Sequence, residues 1–310
     1  MLENIIISCN YVSKNSKHVT IDEEKLNLFV ENIKDIKMNH WLSSSPFGLL
    51  DLAVETIINF LLIYESINFS FWGEPKWTID TNFGKLDGSI ALLYVLLQYV
   101  KESKSTDFSN ISKKDFLKIL KGNIKIPLFE ERFKIVKEVS AIVNDKMQGN
   151  FYQYIKDITS DIELFETIIA NFPSFKDERL YNKQTIYFYK LAQLLTSDIL
   201  HIKEQKEKIK VNYTHLVGCA DYKIPQVLRE FGILNYDNKL AKIVDNHSEI
   251  SINSIYEVEI RANMITVINM INKKLNYKYC RIDINDFIYM QKNNKNFKMR
   301  PYHLTRCTNY

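Results

Sequence analysis

Asp221 closes a short run of small and apolar residues, Leu216-Val-Gly-Cys-Ala, and stands four positions before Pro225. An acid between an apolar run and a helix start can do one of two jobs. It can cap the helix by accepting its first N–H groups, or it can be held rigid to stabilise a developing cation or take a proton from water. Lys190 sits in the run Phe188-Tyr-Lys-Leu-Ala-Gln-Leu-Leu. An ammonium there is costly unless it is paired or at a pocket wall; otherwise it snorkels to solvent. Asp198 lies two turns on, on roughly the same face, and reads as the partner of a core-facing cation. Glu257 and Arg261 are four apart and share a helix face, whereas Glu259 points elsewhere. Phe69, Phe71 and Trp72 alternate with Asn68 and Ser70, as either core or a stacking wall. His303 and Arg306 are cations for an anionic group, or members of a C-terminal clasp with Tyr310.

The elements that must position these residues read as mostly helical. Residues 1–20 are a poorly patterned lead-in. Leu26, Phe29, Ile33 and Ile36 are spaced for a helix between Ile21 and Met38. Leu49–Tyr64 and Ser89–Lys101 are apolar helices, separated by a loop or hairpin at WTIDTNFGKLDGS. Ser112, three residues before Asp115, marks a helix start. Further helices are expected at 128–144, 151–158, 161–171 and 185–203, with the charged KEQKEKIK as the solvated end of the last. In the region after Asp221, proline fits a first helical turn and Gly232 a helix stop. A helix over 237–245 and a long one over 255–275 follow. TIYFY and CRIDI are the candidate short strands. The architecture expected is one helical domain of two lobes around a cleft, over residues 1–310.

Composition narrows the function classes. The hydrophobic fraction of 46% supports a substantial core, and eight glycines and six prolines favour long helices with short loops. A net charge of +4, from 41 basic and 37 acidic residues, is too mild for a polyelectrolyte-binding surface. The most apolar stretch, LLDLAVETIINFLLIY, is interrupted by Asp51 and Glu55, so no membrane span is expected. No signal peptide is legible, and Cys9, Cys219, Cys280 and Cys307 form no CxxC pair. A reduced, cytoplasmic chain is the expectation. His40, His201, His215, His247 and His303 lack metal-ligand spacing, and no Gly-rich phosphate loop is present, so neither metal nor cofactor is expected.

Beyond these physical readings, the chain resembles the queuosine salvage family. The resemblance is carried by SINFSFW (66–72), GKLDG (84–88), IPLFEERFKI (126–135), NFPSF (171–175), FYKLAQLLTSD (188–198), ADYKIPQVL (220–228), EVEIRA (257–262) and PYHLTRC (301–307). They occur in order over most of the chain from about Asp51, while residues 1–45 match poorly. The family often has arginine where Lys223 stands, which here keeps the charge and loses the planar fork. An aromatic is common near Ile90.

The resemblance implies a fold similar to the helix–hairpin–helix DNA glycosylases. It implies hydrolysis of the N-glycosidic bond of queuosine 5′-monophosphate or queuosine, releasing queuine for return to tRNA, with no metal or redox cofactor. Breaking a ribose C–N bond passes through an oxocarbenium-like sugar that calls for a carboxylate and an activated water. On that footing Asp221 and Lys190 become the catalytic candidates. Asn68, Phe69, Trp72, Asp198, Tyr222, Glu257, Arg261, His303 and Arg306 become candidates for substrate binding. The partner expected is a small 7-deazaguanine ribonucleotide or ribonucleoside, not a membrane and not nucleic acid. The competing reading is a nucleic-acid-binding module, or a glycosylase acting on bases in DNA or tRNA, as the related fold suggests.

Overall fold

In the computed structural model, described over residues 1–294 and 298–310, helices dominate. In chain order they are α1 (Leu2–Asn15), α2 (Glu23–Ile33), α3 (Val54–Ser66), α4 (Gly88–Ser103), α5 (Lys113–Ile119), α6 (Phe129–Met147), α7 (Phe151–Ile155) and α8 (Asp161–Asn171). Then come α9 (Lys190–Glu207), α10 (Lys223–Glu230), α11 (Asn238–Asp245), α12 (Ile255–Lys274) and α13 (Arg281–Met290). The strands are short and antiparallel. β1 (Val19–Ile21) pairs with β6 (Leu234–Tyr236); β2 (Thr78–Thr81) with β3 (Gly84–Asp87) and β4 (Glu178–Tyr181) with β5 (Gln184–Tyr187) form hairpins. The mostly helical expectation holds.

The centre is α12, whose residues Glu257–Asn269 are all buried. α1 lies along it, α10 and α13 pack beside it, and α3 crosses α9. Apolar side chains from Leu2 to Ile288 form one continuous cluster. No described helix is long and apolar enough to cross a membrane.

Three expectations are corrected. The lead-in is α1, because Leu2, Ile5, Cys9 and Val12 recur at three- and four-residue spacing and bury one face. The exposed Ile7 and the partly buried Ile6 blur that stripe in the sequence. CRIDI starts α13 and is not a strand: Cys280 and Asp283 close a reciprocal capping box, and Ile284 and Ile288 follow one turn apart in the core. Lys203, assigned to a solvated end, is fully buried, with its ammonium on the carbonyls of Ile155, Lys156 and Ile158, the last at 2.6 Å. Elsewhere local rules were sufficient. Ser112 caps α5 through Asp115 N, and the predicted helix over 161–171 is α8 residue for residue.

Candidate active site

The run from Leu216 to Ala220 is clamped to α9 by Gln193. Its Oε1 accepts from Val217 N and Gly218 N, and its Nε2 donates to Gly218 O. Gly218 has φ +139°, and a Cβ there would lie 2.9 Å from Ile268 Cδ1, so only glycine lets the run pass this close to α12. The run delivers Asp221 to the start of α10. One carboxylate oxygen, Oδ1, accepts from Lys223 N (2.8 Å) and Ile224 N (2.9 Å). Asp221 therefore caps the helix. α10 begins at Lys223, and Pro225 falls in its first turn, where a missing N–H leaves no bond unmade. Among the described residues no donor reaches the other oxygen, Oδ2. Capping and availability coexist, because a carboxylate has two oxygens.

Lys190 is the first residue of α9 and is buried. Its ammonium donates to Asn68 O at 3.2 Å, and its other two hydrogens have no acceptor among the described residues. Lys190, Asp286, Asp221 and Asp198 all act electrostatically on the buried Cys219 thiol, so all four lie within electrostatic range of it. Glu65, the penultimate residue of α3, belongs to the same group. Asn68 Nδ2 donates to its Oε2 at 2.9 Å, and Glu65 lies within hydrogen-bonding reach of Asp198. Asp198 Oδ1 accepts from Trp41 Nε1 at 2.8 Å. Glu65 Oε1 and Asp198 Oδ2 are buried with no donor among the described residues. A proton shared across the pair accounts for both atoms, because burial drives these carboxyls toward the neutral form. Burial lifts Glu65 to about 7 against the opposing charge of Lys190, and Asp198 rises well above the usual range by burial and the nearby Glu65. Burial also lifts Asp286 to about 7.

A wall of aromatics and lysines completes the site on the Asp221 side. Tyr222 and Tyr302 stack with centroids 4.8 Å apart, and Lys223 Nζ lies 3.8 Å from the Tyr302 centroid. Tyr289, which feels the charge of Asp221, carries Lys292 Nζ 3.4 Å from its ring centroid. Across from it, the 68–72 loop is shaped by Arg132. This fully buried guanidinium donates to the carbonyls of Ile67, Phe69, Ser70 and Pro127 and stacks on Phe69 and Phe71. Ser70, at φ +38°, is stitched to the C-terminal tail through Tyr310 O and Cys307 O, each at 2.8 Å.

The remaining sequence candidates sit further back. Arg261 donates to Ala220 O (2.8 Å), to both oxygens of Asp177 and to Glu257 Oε1, between the rings of Phe188 and Tyr310. Glu257 also accepts from Arg179 Nε on both oxygens at 3.1 Å. All four charged residues are under 5% exposed. Glu257 and Arg261 thus brace the turn before Asp221 from behind. His303 is buried against Tyr310, with neither ring nitrogen bonded, and burial lowers it to about 3. A neutral imidazole offers no charge to a phosphate. Arg306 stacks over Trp72 at 4.0 Å and reaches Glu249 at 3.3 Å. Phe69 is in the core, and Trp72 is buried with its Nε1 unpaired.

Sequence reasoning missed Glu65, Asp286, Tyr289, Lys292 and Tyr302. Glu65 left a signal as an acid ending the chain's most apolar helix, and Tyr302 as a member of the string PYHLTRC. A separate polar cavity of about 230 Å³ opens behind the acid cluster, lined by His40, Ser43, Ser197, His201 and Glu204 among others. Neither Asp221 nor Lys190 lines it. Its two imidazoles stack 4.0 Å apart and are both kept neutral, mainly by burial. No group of three or more metal-ligating side chains occurs among the described residues.

Comparison with known proteins agrees with this arrangement of motifs. A family model described as queuosine salvage protein matches residues 50–310. The queuosine 5′-phosphate N-glycosylase/hydrolase of Sphaerobacter thermophilus is 30% identical, covering 83% of this chain and 82% of that protein. The enzymes of the same name from Mus musculus and Bos taurus are 27% and 26% identical, each over 98% of this chain and 97% of the relative.

Proposed function

The chain belongs to the queuosine salvage protein family, and on that premise we propose that it hydrolyses the N-glycosidic bond of queuosine 5′-phosphate. The products are queuine and ribose 5-phosphate, and residues 1–310 act as one domain. The observation that carries the reading is Asp221 itself. One of its oxygens is fixed by two backbone N–H groups, and among the described residues no donor reaches the other.

In the proposed reaction the C1′–N bond lengthens, and its electron pair passes to the ring nitrogen of the 7-deazaguanine. Position 7 of this base is carbon, so protonation there cannot assist departure. Lys190, with two uncommitted ammonium hydrogens, supplies positive charge for the electrons released into the base. Asp221 Oδ2 faces the developing oxocarbenium ion and takes a proton from the attacking water. The water oxygen bonds to C1′, and the departing nitrogen acquires a proton, which balances the hydrolysis. The Tyr222–Tyr302 pair and Trp72 offer aromatic surface to the ring. The shared-proton pair Glu65–Asp198 offers an acidic partner to the amine that the queuine side chain carries.

The test is incubation with queuosine 5′-phosphate, queuosine and guanosine monophosphate, with free base followed by chromatography. Queuine release from the first is expected, none from the third, and a fall of about a hundredfold or more in a folded Asp221→Asn variant. A well-folded protein that releases no base from any of them would overturn the reading.

A further inference from the structure

The Glu65–Asp198 pair takes two donors from a 3-10 turn, Trp41–Ser44, and the residue that caps it. Trp41 Nε1 donates to Asp198 Oδ1 at 2.8 Å. His40 Nε2 lies 3.4 Å from the same oxygen and 3.2 Å from Ser197 Oγ. Both residues precede residue 50, where the match to the family model begins. The backbone fixes the tautomer of His40. Leu42 N donates to its Nδ1 at 3.2 Å, so the proton of the neutral ring sits on Nε2. An indole N–H can only donate. Asp198 Oδ1 therefore faces two N–H groups and cannot carry the pair's proton. On the other side, Asn68 Nδ2 occupies Glu65 Oε2. The proton is left to the inner oxygens, Asp198 Oδ2 and Glu65 Oε1, which have no other donor among the described residues. One proton on two carboxyls leaves one negative charge. The turn is itself anchored to α9. His40 stacks on His201 with centroids 4.0 Å apart, and Ser43 Oγ meets His201 Nε2 at 3.3 Å. His201 is three residues beyond Asp198, on the same helix face. The Trp41 ring lies 6.5 Å from that of Tyr64, the neighbour of Glu65.

We infer that Trp41, seated by His40, is a positioning residue that holds the Glu65–Asp198 pair as a monoanion with its proton between the inner oxygens. The use of that charge rests on the hydrolase reading above, in which the pair meets the amine of the queuine side chain. A hydrogen bond to a carboxylate favours its charged form. Without the indole N–H the pair takes a second proton more readily, and its charge is lost at a higher pH. The other titratable groups around the pair stay in place when the indole is removed. Beyond burial, Lys190 of α9 favours the charged pair and Asp286 of α13 opposes it. Tyr64 of α3, Tyr289 of α13 and the Cys219 thiol are all held neutral by burial. A change in the titration of the pair is therefore the indole's own.

The experiment has a spectroscopic arm and a catalytic arm. The chain has three tryptophans, so indole N–H signals of the 15N-tryptophan-labelled wild type can be followed one by one. One signal should move with pH as the pair titrates. Trp77 Nε1 donates to the carbonyl of Leu120, and Trp72 Nε1 has no acceptor among the described residues, so theirs should hold still. This measurement needs no variant to fold. Trp41→Phe then keeps a ring beside Tyr64 and removes the donor. Its Asp198 carboxyl carbon, followed by 13C NMR and assigned through Asp198→Asn, should titrate about one pH unit or more above wild type. The acid limb of kcat/KM for queuosine 5′-phosphate should rise with it, chiefly through KM. A role in packing alone would move neither midpoint. An unshifted Asp198 titration in a folded Trp41→Phe, or three indole signals that ignore pH, would overturn the assignment. A shifted titration without queuine release from wild type would overturn the hydrolase reading and leave Trp41 standing as the donor that sets the pair.

Discussion

Two buried ionic clusters lie on either side of the Asp221 turn, and they are built on opposite terms. Behind it, Asp177, Arg179, Glu257 and Arg261 balance two negative charges with two positive ones, and each group is hydrogen-bonded. In front, Glu65, Asp198 and Asp286 set three carboxyls against Lys190, and among the described residues Glu65 Oε1 and Asp198 Oδ2 lack donors. A fully satisfied buried network fixes one conformation, whereas a partly satisfied one holds groups away from their preferred protonation states. The back cluster therefore reads as the brace, and the proposed function gives the front cluster the part that meets substrate. The same contrast separates Arg261, stacked and ion-paired, from Lys190, whose ammonium has one protein acceptor.

The largest expected effect tests the brace. Arg261→Met strands Asp177 and Glu257 in the core and should cost about 3–5 kcal/mol in urea unfolding. A loss under about 1 kcal/mol would erase the distinction between the clusters. The front cluster should respond to pH instead. Asp286 has its folded pKa lifted from 3.8 to about 7, so the folded state holds a proton that the unfolded state releases. The stability linked to that proton is present below pH 3.8 and is lost as pH rises toward about 7. Asp286→Asn should thus gain on wild type between pH 4 and pH 8 by on the order of 4 kcal/mol, read from urea midpoints at several pH values. A difference independent of pH would move Asp286 out of the titrating cluster. The smallest effect belongs to Arg306, whose ion pair with Glu249 is exposed. Arg306→Ala should change unfolding free energy by less than about 1 kcal/mol and leave the ratio of kcat/KM for queuosine 5′-phosphate to that for queuosine in place. A large drop in that ratio would return Arg306 to the phosphate.

Much of the helical framework could be read in advance, because its signals are local. Ser112 with Asp115, Asp237 before α11 and Ser254 before α12 all accept a first-turn N–H as their positions predict. CRIDI failed because five alternating residues are too few to distinguish periods of two and 3.6. The lead-in failed because the exposed Ile7 and its neighbour Ile6 mask a sound helical stripe. For the candidate site, Asp221 and Lys190 stand out as charges in apolar runs, and both lie within electrostatic range of Cys219. Lys292 and Tyr289 could not stand out, since each is one of many lysines or tyrosines until the fold chooses its neighbours.

By itself the sequence determined the mostly helical class, the order of the motifs that mark the family, and an acid seated at a helix start. Only the tertiary structure decided which charges are neutralised. Glu257 and Glu259, two residues apart on one helix, illustrate it. The first joins Arg179 and Arg261, and the second holds the backbone N–H groups of Lys17, His18 and Val19. Helix propensity and capping act over a few residues and are written in order along the chain. A buried charge is set by whatever the rest of the fold places within a few ångströms, and those partners here come from up to 242 positions away.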